Sequence, residues 1–400
     1  MLRGTKIVLG VTGGIAAYKS AELTRELVRN GADVRVILTD NASKFITPLT
    51  LETLSGNQVF TDMFARVRDF EISHVSLADF ADMMIIAPAT ANIIGKIASG
   101  IADDLLSTTI MATNVPVLIC PAMNNWMYAN PIVKGNIAKL VGHGYYCMEP
   151  GYGELACKSE GQGRLADITE IVDEVKTILT PKDLVGEHVL VTAGPTREPF
   201  DPVRFISNHS SGKMGYALAV MAARRGADVT LISGPSSLPT PRRVKFIPVS
   251  TALEMKDAVM KLSKKSTVII KAAAVADYRP TVALDSKIKK SKERLTIHLE
   301  KNPDIIAALG RKKGDCILVG FSMETEDLIK NSRAKLLSKK LDMIVANDLN
   351  ERGAGFQSDT NAVVIIDAEG RVEKLPLMSK MEVADRILER VKNIITVRRQ

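Results

Sequence analysis

The stretch KIVLGVTGGIAAYKSAELTRELVRNGADVRVILT, residues 6–39, decides the fold. KIVLGVT is apolar without alternation, as a strand covered on both faces must be. GGIAA makes a tight turn, YKSAELTRELVRN carries apolar residues at helical spacing, and GADVRVILT returns to a strand. The result is a βαβ unit, whose ligands gather at the carboxyl ends of the strands. MMIIAPA and VPVLICPA supply further strands, and residues 169–180 read as a closing helix. After PKDLVGE the pattern begins again: HVLVTAGPT is a strand, a polar loop follows, and GYALAVMAARRGADVTLISGP is helix then strand. GADV occurs in both halves and marks the same helix-to-strand turn, with Gly31 and Gly226 as the residues just past the helix ends. STVIIKAAAVADY, CILVGFS, DMIVAND and NAVVIID add strands, and SKMEVADRILERVKNII is amphipathic. The expectation is an α/β chain of two Rossmann-like doubly wound domains, residues 1–180 and 188–400, with a linker at 181–187.

The totals agree. Four hundred residues exceed one ordinary core. A net charge of +8 points to anionic partners, while 4% aromatic residues leave little for stacking bases, so small phosphorylated compounds are expected and nucleic acid is not. Cys120, Cys147, Cys157 and Cys316 show no paired metal spacing and read as reduced thiols. No apolar run is long enough to span a bilayer and the start lacks a signal-peptide pattern, so the expected location is the cytoplasm, with no membrane partner.

Several stretches offer chemistry. Gly13 and Gly14 turn a strand into a helix, where N–H groups can receive a phosphate, but the spacing is not G-x-G-x-x-G, which argues against a nicotinamide dinucleotide. APATANIIGKIASGIADDLLSTT brings small and hydroxylated residues suited to a flat ligand; FEISHVSLADFAD carries His74, and GELACKSEGQGR places Cys157 in a glycine-rich loop. PAMNNWMYANP, residues 121–131, sets neutral amides directly after an apolar strand. Singly, each has a plain reading as surface histidine, small hydrophobe or turn former.

Together and in this order, VTGGIAAYK, HVSLADFAD, APATAN, ADDLLST, PAMNNWM and LACKSEGQGR resemble the homo-oligomeric flavin-containing cysteine decarboxylases. The resemblance implies FMN at Gly13, Gly14 and Ala16, with Thr39, Thr90 and Ser107 as further contacts. It also implies His74 as base, Asn124 with Met123 on the substrate carboxylate, and Cys157 as proton donor. Flavin supplies the electron sink that a cysteinyl carboxylate needs before carbon dioxide can leave. An amide at Asn124 orients that carboxylate without stabilising its charge as an arginine would. Lys158 stands where relatives carry glycine.

The second half carries TAGPTREPFDPVRFISNHSSGKMG, residues 192–215, which lacks the first Walker A glycine and follows its lysine with Met214. Ser210 to Lys213 still suit a phosphate at a helix start. Lys287, Lys289 and Lys290 lie in KIKK, and Lys335 and Lys339 share a helix face. With AAAVADYRP, KNPDI, VGFSMET and ANDL, this half resembles phosphopantothenate-cysteine ligases. The resemblance implies Asp277, Lys287, Pro303, Asp304, Ile305, Phe321, Lys335 and Lys339 on the nucleotide, and Arg204 with Asn208 on the acyl intermediate. Asn208 and Lys287 are thereby the catalytic candidates of this half.

The fusion is similar to bifunctional coenzyme A biosynthesis enzymes. It implies 4'-phosphopantothenate, cysteine and CTP as substrates of the second domain, Mg²⁺ to neutralise phosphate charge, and phosphopantothenoylcysteine as substrate of the first. It also implies a homo-oligomer of trimeric decarboxylase and dimeric ligase domains, the flavin site lying at a subunit contact. The rival readings are a non-catalytic flavin-binding regulatory protein, opposed by the joint presence of His74, Asn124 and Cys157, and a nicotinamide dehydrogenase, opposed by the glycine spacing.

Overall fold

The computed structural model describes residues 2–64, 73–155, 160–289, 295–324, 327–348, 355 and 357–399. The chain divides into two compact units, Met1–Thr180 and Pro181–Gln400. The N-terminal unit is built on strands β1 (Lys6–Val11), β2 (Asp33–Leu38), β3 (Val59–Phe60), β4 (Met83–Ala89), β5 (Val117–Pro121) and β6 (Tyr146–Cys147). They form one parallel sheet in the order β3-β2-β1-β4-β5-β6. Alternate residues of β1 enter different cores: Ile7, Leu9 and Val11 pack below one face and Val8 below the other. Burial on both faces is the physical reason the strand reads as an unbroken apolar run. The helices are α1 (Lys19–Arg29), α2 (Pro48–Ser55), α3 (Ser73–Phe80), α4 (Ala91–Ser99), α5 (Leu105–Ala112), α6 (Asn125–Ala129), α7 (Pro131–Gly142) and α8 (Ile168–Leu179). A separate antiparallel hairpin, β7 (Gly151–Glu154) with β8 (Glu160–Arg164), precedes α8.

The C-terminal unit repeats the plan. β9 (His188–Ala193) is central, a small ribbon joins β10 (Arg197–Pro199) to β11 (Phe205–Ser207), and α9 (Lys213–Arg224) leads to β12 (Asp228–Ser233) and β13 (Val244–Pro248). There follow α10 (Ala252–Ser263), β14 (Val268–Lys271), a ribbon of β15 (Tyr278–Pro280) and β16 (Leu299–Lys301), α11 (Ile305–Arg311), β17 (Ile317–Glu324), α12 (Leu328–Ser338) and β18 (Met343–Asp348). The order β13-β12-β9-β14-β17-β18 is parallel, as in the first unit, but β19 (Thr360–Asp367) and β20 (Val372–Ser379) extend it antiparallel before α13 (Lys380–Arg399).

The shared GADV segment has one geometry in both halves. Gly31 and Gly226 each have φ of +90°. Gly31 N–H donates to Val28 O and Ala32 N–H to Leu27 O; Gly226 N–H donates to Ala223 O and Ala227 N–H to Ala222 O. Each set is a Schellman closure, which satisfies the last carbonyls of the helix and aims the chain at the next strand. The expected linker is instead packed into the C-terminal unit. Leu184 is buried and donates its N–H to Arg225 O, and Asp183 pairs with the Arg225 guanidinium at 2.7 Å. Burial of an apolar side chain and a charge pair outweighs the turn-forming look of PKDLVGE. Among the described residues no helix is long and apolar enough to cross a membrane.

Gly215 lies in the first turn of α9, where an added Cβ would stand 2.5 Å from Ala193 Cβ and 2.9 Å from Thr192 O. Gly215→Ala should therefore destabilise the chain by about 1–3 kcal/mol. Gly135→Ala on α7, where a Cβ meets nothing within 4 Å, should stabilise it by about 0.5–1 kcal/mol. Urea unfolding of the two variants checks both signs.

Candidate functional site

In the N-terminal unit, β1 and β4 are neighbours whose following connections lead to opposite parts of the sheet, so a crevice opens at their carboxyl ends. Thr12, buried at that point, stitches the two strands together. Its Oγ1 donates to Pro88 O at 2.7 Å and accepts from Thr90 N–H at 3.2 Å. Thr90 in turn caps α4, accepting from Ile93 N–H. A cavity of about 490 Å³ fills the crevice and is lined by Gly13, Gly14, Ala16, Thr90, Met123 and Asn124, with Arg164 of β8. A Cβ at Gly13 would lie 2.4 Å from Asn41 Cβ, so the turn passes too close to its neighbour for any side chain.

Asn124 is the N-cap of α6, its side-chain oxygen accepting from Trp126 N–H at 2.9 Å. The cap fixes which end of the amide accepts. The hairpin holds this segment from the other side: Met123 N–H donates to Gly163 O at 2.9 Å, and a Cβ at Gly163 would fall 2.2 Å from Met123 O. The glycines of EGQGR are thus in strand β8, not in a loop as the sequence reading has it, and they are there because backbone meets backbone. Cys157 and Lys158, between β7 and β8, lie outside the described residues.

Three other expected residues are not in the cavity wall. Thr39, at the end of β2, donates its N–H to Val11 O at 3.1 Å. Ser107 is fully buried in a capping box at the start of α5, its N–H and Oγ both bonded to Asp104 Oδ1 at 2.8 Å. Lys96 holds that helix start through Asp104 at 2.8 Å and Asp103 at 2.6 Å. Burial works to raise the Asp104 carboxyl, but Lys96 and Ser107 together hold it below its ordinary value. His74 sits in the first turn of α3 with Nδ1 buried and without a hydrogen-bond partner among the described residues.

In the C-terminal unit the expected residues line the carboxyl edge of β9, β14 and β17. Asn208 Nδ2 donates to Ala274 O at 3.2 Å, which spends one of its two amide hydrogens. Asp277 O accepts from Asn302 N–H at 2.8 Å, so KNPDI is docked against the end of AAAVAD. Asp304 caps α11 through Ala307 N–H at 3.0 Å and pairs with Lys339 at 2.9 Å. Ile305 is buried at the start of that helix, Pro303 precedes it, and Lys335 lies one turn before Lys339 on α12. Phe321 on β17 lines a separate cavity of about 160 Å³ with Ser210 to Lys213 and Ala272 to Ala274. Lys213 is not directed to an open anion site, since its Nζ donates to Gln357 O at 2.9 Å and pairs with Asp359 at 2.6 Å. Lys287 and Lys289 are exposed, and Lys290 lies outside the described residues.

Residues 184–395 match the family described as DNA/pantothenate metabolism flavoprotein C-terminal domain, and residues 1–180 match the flavoprotein family. The coenzyme A biosynthesis bifunctional protein CoaBC of Bacillus subtilis (strain 168) is 48% identical over 395 residues, 98% of this chain and 97% of that protein. Its counterpart in Escherichia coli (strain K12) is 46% identical over 395 residues, again 98% of this chain and 97% of that one. This chain belongs to the CoaBC family. Among solved structures, the C-terminal domain of a CoaBC protein is 40% identical, covers 54% of this chain and 98% of that domain, and superposes with a TM-score of 0.47.

For a CoaBC chain the structure adds three residues that the sequence reading missed. Arg164 is a cation in the wall of the first cavity, carried there by the hairpin and signalled only by the last letter of GQGR. Asp201 is buried and ties two loops into one. Its Oδ2 takes both Arg204 Nε at 3.0 Å and Arg204 Nη2 at 2.6 Å, together with Ile288 N–H at 3.2 Å. Arg204 Nη2 also donates to Ile288 O at 3.1 Å, so DPVR and KIKK meet through one carboxylate. The Arg204 guanidinium holds the Asp201 carboxyl well below the usual carboxylate range.

Lys271, the third, ends β14 on the face shared by Ile269 and Ala273, which packs against α11 and α12. Burial pushes its ammonium down to a pKa of about 8, with Lys339 adding to the effect and Asp304 and Asp277 opposing it. Between about pH 8 and the ordinary 10.5 the unfolded chain therefore holds the proton that the folded chain has lost, so unfolding free energy rises with pH over this window. Lys271→Met should flatten that rise, as measured by urea unfolding of wild type and variant at pH 8 and pH 10.

Proposed function

We propose that the chain is a bifunctional coenzyme A biosynthesis enzyme. Its C-terminal unit joins 4'-phosphopantothenate to cysteine, and its N-terminal unit decarboxylates the phosphopantothenoylcysteine so formed to 4'-phosphopantetheine. The observation that carries the reading is the meeting, in one cavity, of the bare Gly13–Gly14 turn, the Thr90 cap and the Asn124 cap, within a chain similar along its full length to CoaBC proteins. The cytoplasm, where thiols stay reduced, suits both reactions.

FMN fits the N-terminal cavity. A turn that excludes side chains lets a flat ring and its phosphate approach the backbone, and the first N–H groups of the helix-forming segment that follows have no partner within it. Gly13, Gly14, Ala16 and Thr90 would hold it. Bound there, FMN supplies reversible two-electron chemistry at the cysteinyl sulfur side. The chain's own groups do the rest: Asn124 orients the carboxylate, His74 accepts a proton, and Cys157 returns one to the product carbon. Arg164 adds positive charge for the substrate's anionic end.

His74 does not line the cavity of its own chain, and its buried Nδ1 lacks a partner among the described residues. Around the cavity Ile15, Tyr18 and Met127 are exposed at 60%, 59% and 48%. Both observations support a trimer of N-terminal units in which one copy brings His74 to the next copy's cavity; the dimer of ligase units rests on the family resemblance alone.

In the C-terminal unit the pantothenate carboxylate attacks the α-phosphate of CTP and expels pyrophosphate. The cysteine amine then opens the acyl-cytidylate to an amide and releases CMP. Two anions meet in the first step, so Lys287, Lys335 and Lys339 lower the repulsion, and a bound Mg²⁺ would supply further neutralisation of phosphate charge. Asn208 donates its remaining amide hydrogen to the developing oxyanion.

Pyrophosphate release should require CTP and 4'-phosphopantothenate together, and cysteine should then yield carbon dioxide; ATP run in parallel tests the base. Lys287→Ala should lower ligation by about 10²-fold or more, and Cys157→Ser should stop formation of 4'-phosphopantetheine while leaving ligation intact. Asn124→Asp keeps the helix cap but sets a like charge against the carboxylate, so decarboxylation should fall with little change in thermal stability. Mixing His74→Gln with Asn124→Ala subunits in one oligomer should restore roughly a quarter of wild-type decarboxylation, because that share of shared sites is intact. No recovery on mixing would place both residues in a site built from one chain.

A further inference from the structure

Two segments far apart in the chain carry groups of the ligase step. Arg204 and Asn208 stand at the two ends of β11, and Lys287 belongs to the stretch 281–289 that follows β15. That stretch contains no helix or strand, and all of it but Ile288 is exposed. Among the described residues its hydrogen bonds beyond Thr281 converge on one turn, residues 200–204. Leu284 N–H donates to Phe200 O at 3.1 Å, Ile288 N–H to Asp201 Oδ2 at 3.2 Å, and Ile288 O accepts from Arg204 Nη2 at 3.1 Å. A loop with so few anchors can place a lysine only as firmly as those anchors hold.

The main anchor is the Asp201 carboxylate, whose side chain is fully buried. Its Oδ1 accepts the backbone N–H groups of Val203 at 2.9 Å and Arg204 at 2.7 Å. Its Oδ2 accepts Arg204 Nε at 3.0 Å, Arg204 Nη2 at 2.6 Å and Ile288 N–H at 3.2 Å. An ionised carboxylate has about four lone-pair directions, so these bonds leave none for a substrate. Aspartate ordinarily closes a turn by accepting from the backbone two residues on, a use that needs Oδ1 alone. It accounts neither for the guanidinium on Oδ2 nor for the link to Ile288, 87 residues away. By taking the Nε and Nη2 edge, Asp201 fixes the plane of Arg204 and leaves Nη1, which has no partner among the described residues, as the edge for an anion.

The geometry points to Asp201 as a positioning residue of ligation, an inference that rests on the ligase roles proposed for Lys287, Arg204 and Asn208. One buried carboxylate sets the Lys287 loop against the Arg204 turn, so that the lysine and the guanidinium flank the place where the pantothenate carboxylate meets the α-phosphate. Lys287 is the residue next to the anchored Ile288, and a shift of the anchor shifts the lysine with it. Displacements of about 1 Å are enough to cost a reaction of this kind much of its rate.

Asp201→Asn sets an N–H₂ group among donors and should lower kcat for pyrophosphate release, with CTP and 4'-phosphopantothenate, by about tenfold or more. In a Lys287→Ala background the same change should cost less than about threefold, because the lysine to be placed is gone; a role in folding alone would cut both backgrounds alike. Hydrogen exchange at single-residue resolution gives a second reading on the full-length wild type. Ile288 N–H should exchange about tenfold or more slowly than Lys287 and Lys289 N–H, which have no partner among the described residues. In Asp201→Asn that protection should vanish while β9 and β14 stay protected, which separates a released loop from an unfolded unit. Wild-type pyrophosphate release by Asp201→Asn overturns the positioning role, as does an undiminished effect in the Lys287→Ala background. So does an Ile288 N–H that exchanges as fast as its neighbours in the wild type, a result that stands even if Asp201→Asn does not fold. Wild-type release by Lys287→Ala alone instead removes the ligase role of that lysine, and the positioning role with it.

Discussion

Backbone packed against backbone at the carboxyl edges of the two sheets is the constraint from which the sites follow. A Cβ on Gly13 would meet Asn41 at 2.4 Å, one on Gly163 would meet Met123 O at 2.2 Å, and one on Gly234 would meet Pro195 O at 1.8 Å. At each place two segments of backbone are pressed together with no side chain between them. The pressing is what turns loops into fixed walls, because a segment held by its neighbour's main chain has little room to move. In the N-terminal unit it sets Asn124 over the turn at Gly13; in the C-terminal unit it sets the TAGPT turn against the end of β12.

The same unit of fold is used twice with different endings. The parallel order is identical in both sheets, and the Schellman closures at Gly31 and Gly226 reproduce one helix-to-strand turn down to its hydrogen bonds. Divergence lies at the edges. The first unit adds the hairpin β7–β8, which reaches back over α6, and the second adds the antiparallel pair β19–β20 under α13. Function is attached to these additions and to the loops, while the repeated sheet serves as the platform.

Charge is treated differently in the two units. Around the first cavity the neutral caps Thr90 and Asn124 stand beside a wall that also carries Lys19, Arg164 and Glu154. The second edge is organised by ion pairs, Asp201 with Arg204 and Asp304 with Lys339, each of which also holds a backbone N–H. Such pairs fix loops in place more than they add stability, since the desolvation of each partner offsets much of the attraction.

By itself the sequence determined the α/β class, the repeat, the central strands and the two sets of motifs, because unbroken apolar runs, helical spacing and glycine at a left-handed turn are local physical requirements. Gly13 and Gly14 could be named from their position after a strand, where the topology of a parallel sheet leaves its crevice, whereas Thr90 and Asn124 were named from the family resemblance. Only the tertiary structure decided which of the named residues share a wall. Ser107 is spent inside a capping box, Lys213 is tied to Asp359, and Leu184 of the expected linker is buried. Asp201, Lys271 and Arg164 were illegible because their roles come from partners distant in the chain: a carboxylate reads as a loop residue until Ile288 is beside it, and a lysine reads as solvated until two helices cover it.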